Sequence, residues 1–124
     1  MIPNMEAAST SSWHAGYERQ AAHLLEHRAD LAAALDAGRN FLAAHAPHDL
    51  VAPAISCGEL GEITLHWHCP GPEGVDLEVD ITGLAVQDVY VWLHGEASST
   101  MTSEAAAVGR LQAALDRVVR FHTP

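Results

Sequence analysis

Two histidines and three acids stand close together in one segment of this chain. His66 and His68 flank Trp67, and Asp76, Glu78 and Asp80 alternate with apolar residues just beyond. A third histidine, His94, ends the next apolar run. Two imidazoles around one carboxylate, as His68, Asp76 and His94 would form, are the ligand type that an open site for zinc or non-haem iron uses. His66 and Glu78 could add a fourth ligand or a general base. Without a metal, the same residues make a proton-holding cluster, because an imidazole beside a carboxylate keeps its proton more strongly. The sequence leans against an enzyme and calls for no cofactor on any other ground. It holds no G-x-G-x-x-G, Walker loop, H-E-x-x-H or G-x-S-x-G. Cys57 and Cys69 form no C-x-x-C pair and read as small buried or idle thiols.

Tyr90 and Trp92 supply a second kind of chemistry. Both aromatic types are enriched at binding hot spots, and both alternate with valine and leucine in "DVYVWLH". With His66, Glu78 and Asp80 they make a candidate partner-binding face. The competing expectation is that residues 1–12 or the loop 46–54 fold over them.

Strands must position these groups. "PAISC" is a weak first strand, "ITLHWHC" a second, "VDLEVDI" a third and "DVYVWLH" a fourth, separated by "GELGE", "PGPEG" and "TGLAVQ". Side chains alternate between faces along a strand, so each apolar set shares the core face. Those sets are Ile63, Leu65, Trp67 and Cys69; Val75, Leu77, Val79 and Ile81; and Val89, Val91 and Leu93. Pairing Cys69 with Val75 and Ile81 with Val89 writes three rows on the other face: Thr64–Asp80–Tyr90, His66–Glu78–Trp92 and His68–Asp76–His94. The outer members of a row start about 9–10 Å apart, so the histidines must lean inward to meet the aspartate.

Helices flank the strands. From Ser12 to about residue 45, Trp13, Tyr17, Ala21, Leu24, Arg28, Leu31, Leu35, Gly38, Leu42 and His45 recur at three- and four-residue steps, a mostly apolar stripe. Gly38 and Asn40 weaken that run, so the reading is one helix over 12–45 or two with a break near Gly38. A straight helix of that length spans about 45–50 Å and overhangs the domain, which implies a kink or a homodimer. "GEASSTMTS" reads as a loop, and a last helix is expected over 103–121 through Val108, Leu111, Leu115 and Val118. The expected fold is α+β: a four-stranded antiparallel meander over 54–95 with both helices on one face. Residues 1–11 read as a flexible terminus and 12–124 as a single domain.

Charge bounds the partners. The chain has 124 residues, no lysine, six arginines and a formal net charge of −10. No Lys or Arg lies between Arg39 and Arg110, whereas ten acids do (Asp49, Glu59, Glu62, Glu73, Asp76, Glu78, Asp80, Asp88, Glu96 and Glu104). The flanking segments balance, so the whole excess belongs to the middle of the chain. Such a surface repels phosphate, which argues against direct nucleic-acid binding and for a basic protein partner. There is no membrane span and no leader, so the cytoplasm is the expected location. The arginine-only, alanine-rich composition suits a bacterial or phage origin. The leading expectation is a small acidic, non-enzymatic protein-interaction module, an inhibitor or accessory factor. The alternative is a metal-dependent enzyme using His68, Asp76 and His94 with zinc or iron.

Overall fold

Alternation of apolar and polar residues produces the sheet that the sequence implies. The computed structural model describes residues 12–83, 85–95, 100–102 and 108–123. Strands β1 (Ala54–Cys57), β2 (Ile63–Cys69), β3 (Val75–Thr82), β4 (Ala85–Leu93) and β5 (Thr100–Thr102) form one antiparallel sheet in chain order. Helices α1 (Ser12–His27), α2 (Ala32–His45) and α3 (Val108–Phe121) complete an α+β fold. The short fifth strand falls where the sequence reads as a loop; it pairs with Val89–Val91 and covers part of β4. The expected loose terminus at 1–11 and the expected helix start at Ser103 lie outside the described residues. Among the described residues, no helix is long and apolar enough to cross a membrane.

The inner face is the expected one. All eleven residues of the three apolar sets are buried, and they meet Trp13, Tyr17, Leu31, Leu35, Leu42, Leu111 and Leu115 from the helices in one core. Fully burying one such aliphatic side chain contributes about 1.5–3 kcal/mol. The inner face therefore dominates the stability of the sheet.

The N-terminal helix breaks at Arg28, not near Gly38. Arg28 leaves the helical region (φ −140°, ψ 78°), and a single 3₁₀ turn over Ala29–Leu31 leads into α2. Arg28 braces this corner with a bidentate bond to Asp30 (2.8 and 2.7 Å) and a bond to the Gly58 carbonyl (3.0 Å). The bend removes the overhang and folds α2 back along α1. There the buried Tyr17 hydroxyl donates to the Leu35 carbonyl at 2.6 Å. Gly38 serves this contact. A Cβ at that position would collide with Tyr17 Oη and crowd Ile81 and Ile63 at 3.3 and 3.4 Å. It is a close-packing glycine, not a helix breaker. Arg39 binds Glu18 and Asp36 and lies over the Tyr17 ring, closing the same seam.

Turns set the register. "PGPEG" forms the expected five-residue connection, with Gly71 at φ +115°, and β2 pairs with β3 as expected, Cys69 to Val75 through Ile63 to Ile81. The next connection is tighter than the sequence suggests. Thr82 pairs with Ala85 across two residues, the first being Gly83 at φ +61°, a backbone region that glycine enters without steric cost. A register shift between Asp80 and Ile81 then leaves Gln87 as an extra residue in β4. Val79, not Ile81, faces Val89.

The edge strand β1 is shielded by α1. Gln20 accepts from the Ile55 amide at 2.9 Å and donates to the Pro53 carbonyl at 2.7 Å. This occupies backbone groups that would otherwise be open to pairing with another chain.

Candidate functional site

The outer face of β2, β3 and β4 collects every residue that the sequence singles out, but in different rows. The expected Thr64–Asp80–Tyr90 row is Thr64–Asp80–Asp88, His66–Glu78–Trp92 is His66–Glu78–Tyr90, and His68–Asp76–His94 is His68–Asp76–Trp92. The tight turn at Gly83 and the extra residue Gln87 together move β4 by two positions. An even shift preserves faces while changing neighbours. Of the two expected covers, the loop 46–54 does not lie over this face, and residues 1–11 lie outside the described residues. Trp67, on the inner side, donates its indole N–H to the Val51 carbonyl at 2.9 Å, and Leu50 is fully buried. Trp92 is 45% exposed.

His94 reaches Asp76 from beyond the end of β4. Its backbone amide donates to the Gly74 carbonyl at 3.0 Å, and its side chain turns back along the sheet. Nε2–H donates to Asp76 Oδ2 at 2.8 Å, and Nδ1–H donates to the Gly71 carbonyl at 3.0 Å. His68 Nδ1 hydrogen-bonds the other carboxylate oxygen, Asp76 Oδ1. His66 Nε2 stands 3.8 Å from Asp76 and 4.0 Å from Glu78. The two imidazoles thus lean inward as the site requires. Their nitrogens, however, grip separate oxygens of one carboxylate, and a metal ion would have to displace those hydrogen bonds.

Protonation follows from this geometry. Both ring nitrogens of His94 face acceptors, one a carboxylate and one a carbonyl, so both must carry hydrogen to satisfy them. The bond to Asp76 and then the bond to Gly71 raise the His94 pKa above its ordinary value. Partial burial pushes the Asp76 carboxyl up, but hydrogen bonds from His68 and His94 outweigh it and hold the group below its ordinary value. The result is an imidazolium–carboxylate pair, each partner only 16–17% exposed.

Two further groups belong to this cluster, and no motif or spacing points to them. Arg117 of α3 donates through Nη1 to the carbonyls of Gly74 (3.0 Å) and His94 (2.7 Å). The Gly71 carbonyl is available because the "PGPEG" turn curls toward β4. The cluster therefore ties together a hairpin turn, the end of β4 and the last helix. Trp92 packs its ring edge-on to His94, 5.1 Å between centroids.

Acids dominate the rest of the face. Asp80 accepts from the Thr64 hydroxyl at 3.0 Å and sits directly opposite Asp88 on β4. Like charges in directly opposed positions destabilise a sheet. Cys69 is buried on the inner side, which raises its thiol pKa and makes it a poor nucleophile; Cys57 is exposed, and both are free thiols. Compared with known protein families, curated proteins and solved structures, the chain matches none.

Proposed function

We propose that this protein is a small acidic binding module whose outer sheet face receives a basic segment of a protein partner in the cytoplasm. The observation that carries this reading is the Asp80–Asp88 pair. Two carboxylates face each other across β3 and β4 in a stretch of chain, Arg39 to Arg110, that contains no Lys or Arg. A cation from outside would relieve that repulsion, and complementary charge steers such encounters. Tyr90, one row along from Asp88, and Trp92, a row beyond it, offer flat apolar surface to the aliphatic stems of lysine or arginine. The same charge disfavours a nucleic-acid ligand, since phosphate would meet three acids outside the Asp76–His94 pair (Glu78, Asp80 and Asp88) on adjacent strands. A role as an inhibitor or accessory factor suits a surface of this kind, which needs no chemistry of its own.

Affinity capture from a bacterial lysate tests the proposal. The immobilised chain should retain a basic protein that elutes with salt, and Trp92→Ala or Asp88→Asn should weaken its retention. Equal capture by wild type and by both variants would sink the reading.

A further inference from the structure

The opposite side of the molecule carries a second set of donor groups. Helix α1 ends in "HLLEH", which places His23, Glu26 and His27 at positions i, i+3 and i+4 on one helical face. One nitrogen of each imidazole and one carboxylate oxygen all lie within 4.8 Å of one another. Among the described residues, this is the set of three for which that holds. The two rings stand 5.6 Å apart between centroids, nearly perpendicular, and His23 Nδ1 is 3.9 Å from Glu26 Oε2. At that distance the carboxylate makes no hydrogen bond, so the lone pairs of this trio are not committed to one another. The contrast is with His94, whose two nitrogens are both engaged.

We infer that His23, Glu26 and His27 form a surface chelating site for a divalent transition-metal ion. Two imidazoles and a carboxylate favour Zn²⁺, Co²⁺, Ni²⁺ or Cu²⁺ over Mg²⁺ or Ca²⁺, which prefer all-oxygen sets. Three protein ligands leave at least one coordination position for water or another donor. The helix holds the spacing before any ion arrives. Trp13, Tyr17 and Ala21 anchor α1 in the core, Gln20 fixes it to β1, and the Arg28 amide closes the last turn on the Leu24 carbonyl at 2.9 Å. Ligation therefore requires only side-chain rotation, which keeps the ordering cost small. The chain's net charge of −10 raises the local concentration of cations.

The test uses the untagged full chain, stripped with chelator and titrated with Zn²⁺ by calorimetry and with Co²⁺ by visible absorption. One equivalent of each ion should bind saturably. His23→Ala and His27→Ala should each weaken binding by at least about tenfold, the loss that removal of even an outer-shell partner produces. A His68→Ala/His94→Ala double variant should bind as wild type does. The four histidines substituted are at the surface or at one end of the sheet, and unchanged circular dichroism checks that each variant is folded. No saturable binding by wild type, undiminished binding by His23→Ala/His27→Ala, or loss of binding in the His68→Ala/His94→Ala variant each overturns the inference.

Discussion

Replacing Asp76 with Asn isolates the ionic cluster at the end of the sheet. The substitution keeps the shape of the side chain and removes its charge, so His94 loses the carboxylate that keeps it doubly protonated. A charge-assisted hydrogen bond contributes about 1.5–3 kcal/mol, and the bond from His94 belongs near the low end because both partners retain some contact with water. The bond from His68 adds little, since that ring is 59% exposed and exposed ion pairs contribute about 0–1 kcal/mol. The expected loss is about 2 kcal/mol in all. For a chain of 124 residues the unfolding entropy is about 0.26 kcal/mol/K, so Tm should fall by roughly 8 °C.

Its pH dependence is the sharper test. The Asp76 carboxyl is held below its ordinary 3.8, so its contribution is complete above the unfolded value and is lost as pH falls through the lower folded value. His94 is raised above its ordinary 6.5, so its contribution is complete below 6.5 and is lost as pH rises through the higher folded value. The pair therefore stabilises most between about pH 4 and pH 6.5. Thermal melts of wild type and Asp76→Asn from pH 4.5 to 9 should show their largest difference below about pH 6.5, shrinking toward alkaline pH. Taking the difference cancels, to first order, the six histidines that do not face Asp76. A difference in Tm that stays constant from about pH 5 to pH 9 would refute the assignment of His94 as a cation.

Two other substitutions probe separate parts of the fold. Gly38→Ala places a methyl group against Tyr17 Oη and Ile81, so overpacking should cost about 2–3 kcal/mol, read as a lower urea midpoint with unchanged slope. Combining it with Tyr17→Phe, which removes the clashing oxygen, should recover part of that loss. Asp88→Lys puts a cation opposite Asp80 and should stabilise the isolated chain by about 0.2–1 kcal/mol. The same variant should abolish capture of a basic partner, so stability and binding would move in opposite directions.

The inner face of the sheet was legible because three strands alternate cleanly, and alternation assigns a face to every side chain at once. The first hairpin was legible to the residue, since "PGPEG" leaves little freedom between Cys69 and Val75. The second was not. "TGLAVQ" contains an apolar stretch with no alternation, and nothing in it distinguishes a six-residue link from a two-residue turn followed by a bulge at Gln87. The helix break was hidden for the opposite reason. "EHRADLAAAL" is uniformly compatible with helix, and the bend at Arg28 is imposed by tertiary contacts, above all Tyr17 against Leu35 and Gly38. His94 joined Asp76 despite the altered register, because it lies past the last residue of β4 and reaches back. The "HLLEH" trio was written openly in the sequence, but a search for H-E-x-x-H passes over the inverted order.

The division of labour between the two sheet faces explains why the outer one can carry a destabilising pair. Eleven buried apolar residues on the inner face contribute far more than the fraction of a kcal/mol that opposed aspartates cost. The fold therefore places little constraint on what Asp80 and Asp88 are, provided their neighbours on the inner side stay apolar. A position free of structural constraint could hold lysine, threonine or glutamine with equal or better stability. Stability alone does not account for an acid opposite another acid there, which is why the proposed basic partner is sought at this pair. The ionic cluster at the other end of the same strands differs in kind. Asp76 is matched by His94, and Arg117 fastens that corner to α3, so charge there is structural. Along β3 alone, then, Asp76 is paired with an imidazolium from within the chain, whereas Asp80 has the Thr64 hydroxyl and an opposed carboxylate, and on the proposed reading the second is where an outside cation has most to offer.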